Sequence, residues 1–129
     1  VNNDRRKSLR EVESLVDSIE NEMDELSAME ARDGGVTEAD RDVKVTVWQG
    51  RCEDAAEILR SVASEEESAA ENVRSEDKRD EMRDTVSSLE DAADDLETLG
   101  TLEDSASFCQ RWKEEVTDLQ SAISEARES

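Results

Sequence analysis

The chain has 129 residues, 37 acidic and 16 basic, for a net charge of −21, with no histidine, proline or tyrosine. Without histidine, every His-based triad, general base and metal site is excluded, including the Glu-x-x-His pattern of di-iron bundles. Two cysteines are too few for a disulfide scaffold, and no apolar run approaches the roughly 20 residues that span a membrane.

The length suits a single domain over 1–129, and its elements read as four helices. In the first, at about 5–33, Leu9, Val12, Val16, Ile19, Met23 and Leu26 recur at spacings of three and four. That is a narrow apolar stripe of the coiled-coil kind. Gly34 and Gly35 end it, and Thr37 in "TEAD" can cap the next helix. The second, at about 38–73, carries Trp48, Cys52, Ala55, Leu59, Val62, Ala69 and Val73, with Glu66 as the one polar interruption and Val43 and Val47 on a neighbouring stripe. Nine residues separate Val73 from Met82, which is not a heptad step, and Ser75 in "RSED" offers a cap. The spacing therefore predicts a break near 74, the alternative being one continuous, locally distorted helix. The third helix, at about 76–99, carries Met82, Val86, Leu89, Ala93, Leu96 and Leu99, and stops at Gly100. The fourth starts from Thr101 in "TLED", covers about 102–127, and carries Cys109, Trp112, Val116, Leu119, Ile123 and Ala126. Four stripes joined by short connections predict an all-α, antiparallel, up-down-up-down four-helix bundle with coiled-coil-like hairpins. The stripes are thin and rich in alanine, so an exposed remnant of the seam is expected to favour self-association.

The stretch "DVKVTVWQGRCED", 42–54, is the one ambiguous segment. Its alternating valines suit a strand, but no second strand exists to pair with it. A helix leaves Gly50 in its interior at about 1 kcal/mol, tolerable if a neighbouring helix packs close over the glycine. Trp48 and Gly50, between a helix and "RCEDAAEIL", also resemble the WXG family of small secreted helical hairpins, over residues 9 to 73. That resemblance implies export as a type VII secretion substrate. The chain departs from it with a Gly-Gly turn before the motif, two further helices, and no tyrosine-based export signal.

Arginine outnumbers lysine twelve to four, and the apolar residues are mostly Ala, Val and Leu. This composition resembles that of proteins from salt-accumulating halophiles, particularly haloarchaea and their viruses. Over the roughly 6,800 Å² expected for a compact protein of this mass, the net charge is about one per 330 Å². Such a surface repels itself in dilute buffer. Molar salt shortens the screening length to about 3 Å and removes most of the penalty.

Little catalytic chemistry remains. Glu65, Glu66 and Glu67, and likewise Asp91, Asp94 and Asp95, lack the spacing and the glycine of a calcium loop, so they read as acidic faces holding hydrated cations non-specifically. Cys52 and Cys109 fall on seam positions and read as reduced core thiols. Trp48 and Trp112 read as core or interface anchors. Arg5, Arg6, Lys7 and Arg10 form the one basic cluster, able to dock on an acidic partner; four charges against −21 disfavour nucleic acid. The interface candidates are thus Trp48, Cys52, Cys109, Trp112, Arg5, Arg6, Lys7 and Arg10. No cofactor, catalytic residue or membrane contact is expected. The expected function is a non-enzymatic structural or assembly protein of a high-salt organism, in its cytoplasm or in a haloarchaeal virus particle, binding a protein partner or its own copies. The alternatives are an acidic DNA mimic that blocks a nucleic-acid-binding protein, and the WXG-like secreted hairpin.

Overall fold

A computed structural model describes residues 2–33 and 37–128. They form α1 (Asn3–Asp33), α2 (Glu38–Glu71), α3 (Glu76–Gly100) and α4 (Ser105–Glu128), with no strand among them. Each helix packs on the next, α4 closes on α1, and α2 touches α4 across the diagonal. The short connections make successive neighbours antiparallel. The accessible surface is 7671 Å², which spreads 21 net charges at one per about 365 Å², close to the density expected for a compact protein of this mass.

The caps follow side-chain chemistry. Thr37 accepts a hydrogen bond from the Asp40 N–H at 3.2 Å, and Ser75 accepts one from the Lys78 N–H at 3.3 Å. The break near 74 is therefore real, and α2 and α3 are separate helices. The turn at Gly34 and Gly35 lies outside the described residues. Thr101 does not start α4: its N–H bonds back to Thr98 and Leu99 as the cap of α3, and its hydroxyl donates to the Thr98 carbonyl. Asp104 starts α4 instead. Its carboxylate accepts from both the N–H and the hydroxyl of Ser107, and these bonds hold its pKa below the usual carboxylate value.

The seams are buried, save for half-buried Leu26, Ala69, Val73 and Cys109. The α2–α3 pair is the most extensive contact. Ala56, Ala63 and Ala70 recur every seven residues on α2, and Ala92 and Ala93 sit on α3, all buried. Small side chains let the two backbones approach. The stripe of α2 also reaches back to Val45, buried at 2 % exposure, whereas Val43 and Val47 are 64 % and 40 % exposed. The three-four alternation running back from Trp48 lands on Val45, so 43 and 47 fall on the opposite side of the helix.

The polar interruption of the seam has a partner. Glu66 is 1 % exposed, and its Oε2 lies 2.8 Å from Nε of Arg5, whose side chain is also largely buried. Arg5 precedes Leu9 by four residues and so continues the stripe of α1 into a polar layer. A buried pair of this kind adds little net stability, but removing one partner strands the other charge. Glu66→Ala should therefore cost about 3 to 5 kcal/mol in denaturant titrations. The double variant Arg5→Met with Glu66→Leu should regain wild-type stability or exceed it. A double variant as unstable as the single would show that the pair is not the element at stake.

Candidate functional site

The eight interface candidates separate into inner and outer residues. Trp48, Cys52 and Trp112 are 0 %, 0 % and 1 % exposed, so the fold takes them into its own core and presents none of them to a partner. The basic cluster is not one patch either. Arg5 is held by Glu66, and Arg6 donates from Nε to the Arg127 carbonyl at 3.1 Å. Of the four, Lys7 and Arg10 are exposed. Positive charge at the start of α1 opposes that helix's dipole. The antiparallel neighbours α2 and α4 end there, and their C-terminal carbonyls favour cations.

All three aromatic side chains of the chain gather in one cluster. The rings of Trp48 and Phe108 stack at 5.7 Å and 30°, and those of Phe108 and Trp112 at 6.2 Å and 10°. These separations lie in the favourable range for aromatic pairs. Phe108 sits between the two indoles, which therefore do not meet directly. A strict heptad back from Trp112 lands on Cys109. The helix turns every 3.6 residues rather than 3.5, which shares the inward position between 108 and 109, and the larger apolar side chain occupies it. Phe108 is 0 % exposed while Cys109 is half-buried. Neither indole N–H has a hydrogen-bond partner among the described residues, which marks the cluster as apolar packing.

Cys109 lines a groove of about 340 Å³ between α1 and α4, with Met23, Leu26 and Trp112 at its apolar side and Glu30, Arg41 and Lys113 around it. Both cysteines are free. Burial, then the neighbouring Glu53 carboxylate, pushes the Cys52 thiol up to about 12. Burial also raises the Cys109 thiol, against the pull of Lys113. Thiols so held are poor nucleophiles. Among the described residues no group of His, Cys, Asp and Glu is placed to hold a metal ion, and no helix is long and apolar enough to cross a membrane. Of the two carboxylate clusters, Glu66 is buried against Arg5 and Asp94 pairs with Arg60 at 2.8 Å. Burial raises the Asp95 carboxyl above its usual pKa.

The motif Trp48–Gln49–Gly50 lies inside α2 and makes no turn. Trp48 supplies the core. Gln49 donates from Nε2 to the Leu102 carbonyl at 2.6 Å, which fastens the α3–α4 connection to α2. Gly50 is exposed, with nothing within 4 Å of where a Cβ would stand, so no helix of this chain packs over it. The close approach occurs at Gly100, where a Cβ would meet Glu53 Cγ at 3.3 Å and the Gln49 carbonyl at 3.6 Å.

That contact fixes where α3 stops along α2. The eleven residues from Glu38 to Trp48 continue beyond it, about 16 Å of helix with no α3 beside them. Ala39, Val43, Thr46 and Val47 lie on the solvent side of this segment, with Gly50 just past it on the same side, opposite Val45 and Cys52. Val43, Val47 and Met29 are the large apolar residues left exposed among those described. Sequence reasoning took 43 and 47 as a second stripe; extending the seam back to Val45 would have placed them outward. Comparison with known proteins finds no matching family model, no similar curated protein and no matching solved structure.

The two thiols give a pH test. In the native protein a thiol reagent should label Cys109 before Cys52, with equal rates only after denaturation. The unfolded Cys52 thiol ionises near 9.0 and the folded one near 12. Its stabilising contribution is therefore complete below pH 9.0 and lost as pH rises towards 12. Cys52→Ala should lack that part of the alkaline loss of stability. The same alkaline slope in both proteins would contradict it.

Proposed function

We propose that this chain is a non-enzymatic assembly protein that works by binding other protein, in the high-salt setting of a halophile's cytoplasm or of a haloarchaeal virus particle. One observation carries the reading. The fold buries its aromatic cluster and the Cys52 thiol internally, while the N-terminal part of α2 turns two valines to water. A chain this acidic that leaves apolar side chains outside has a surface suited to contact, not to chemistry. The charge and the preference for arginine support the high-salt setting.

The acidic-decoy reading has an observation of its own. Asp80, Asp84 and Asp91 stand exposed along one face of α3, and positions four apart rise about 6 Å, a spacing a phosphate-binding protein could read. The WXG-like reading loses support because its motif lies within a helix rather than at a hairpin turn.

Salt separates assembly from decoy. Sedimentation and light scattering across the micromolar range, alone and with co-purified partners, should show association that holds or tightens as KCl rises into the molar range. A grip that collapses with salt would favour the decoy. A strict monomer with no partner at any salt would defeat the assembly reading.

A further inference from the structure

The exposed face of α2 carries carboxylates that the cations of its own helix do not neutralise. Three cations lie on the N-terminal half of α2, and all three turn inward to α1. Arg41 bonds Glu30 at 2.6 Å, Lys44 reaches Glu22 at 3.4 Å, and Arg51 bonds the same Glu22 carboxylate. The carboxylates on the other flanks are left alone. Asp40, Asp42, Glu53, Asp54 and Glu57 are exposed, and none of them pairs with a base among the described residues.

Between those carboxylates runs the apolar line Ala39, Val43, Thr46, Val47, Gly50, at helical spacings that keep it on one side. The Thr46 hydroxyl is satisfied by the Asp42 carbonyl of its own helix at 3.0 Å, so it asks nothing of a partner. Gly50 leaves open space in which a second backbone can come close. α3 ends at the level of Gln49 and Glu53, and the outward face of α2 is exposed both beyond that level and beside α3, where Asp54, Glu57 and Ser61 continue it.

We propose that this face of α2, from Ala39 to Asp54, is a docking site for a cationic amphipathic helix of a partner protein. The partner's apolar ridge seats on Val43 and Val47 and crosses closely at Gly50. Its Lys or Arg residues, flanking that ridge, meet Asp40, Asp42, Glu53, Asp54 and Glu57. Charge complementarity selects this occupant over a second copy of the chain, which would bring the same unpaired carboxylates face to face. Apolar contact supplies affinity where salt screens the charges, and the charges set which helix is accepted. The inference rests on the assembly reading and names the chemistry of its partner.

The test uses the full chain and two synthetic helical peptides sharing one apolar ridge, one flanked by Arg and one by Glu. Binding is read by fluorescence anisotropy at several KCl concentrations, and located by methyl resonance shifts. The Arg peptide should bind saturably, shift Val43 and Val47, and lose about tenfold or more in affinity for the chain carrying Val43→Asn and Val47→Asn. Both positions are exposed, so that chain keeps its helicity and its buried indole fluorescence. The Glu peptide should not bind. Arg-peptide binding that the double variant leaves unchanged would show a general acidic attraction and overturn the site. Absence of binding would overturn it too, as would a wild-type dimer that the double variant splits. If peptide binding fails while the salt-resistant association persists, this face alone is wrong; if both fail, the assembly reading falls with it.

Discussion

Mutual repulsion among carboxylates is the constraint around which this molecule is organised. Twenty-one net negative charges must be held on four helices whose apolar stripes are one or two residues wide. Several of the scarce cations join one helix to another. Arg5 joins α1 to α2 through Glu66, Arg41 and Arg51 join α2 to α1, Arg60 reaches Asp94 and Glu97 of α3, and Arg127 returns α4 to Glu13 of α1. Arg111 pairs within its own helix, with Glu115. The preference for arginine has a geometric reason, since a planar fork can hold two carboxylates at once, as Arg60 does. Exposed pairs of this kind are worth about 0 to 1 kcal/mol each, so they set which helices adjoin more than they hold them together. The outside is dominated by carboxylates, with exposed cations such as Lys7 and Arg10 among them.

Much of this was legible in the sequence because it is local or periodic. The heptad stripes of α1 and α3, the caps at Thr37 and Ser75, and the stop at Gly100 each depend on a few neighbouring residues. Other features depended on tertiary partners and were hidden. Glu66 looked like a flaw in a seam and Arg5 like a docking cation, and only the bundle brings them 2.8 Å apart. Phe108 was overlooked for Cys109 because a strict heptad drifts from a real helix by a fraction of a residue. Gly50 invited an intramolecular neighbour and has none; that neighbour's role falls to Gly100, against α2. Thr101 in "TLED" looks like the start of α4, yet Asp104 offers a carboxylate three residues closer to the helix that needs it.

The core and the candidate surface lie on opposite sides of α2. α2 has 34 residues and α3 has 25. Where both are present, alanines let them pack closely and bury the seam. Beyond the end of α3, α2 keeps its inner face on the core through Val45 and Trp48, and its outer face stays in solvent as it does beside α3 at Asp54, Glu57 and Ser61. The residues that looked most like an interaction motif, Trp48 and Gly50, thus divide. The tryptophan belongs to the core, and the glycine belongs to the open face.

The most direct measurement is the free energy of unfolding as a function of KCl, followed by circular dichroism and by the fluorescence of the two buried indoles. If screening of the carboxylates decides whether so thin a core can hold, stability should rise steeply from millimolar to molar salt, with helix and indole signals lost together in dilute buffer. Equal helicity and an equal melting temperature at both extremes would contradict it.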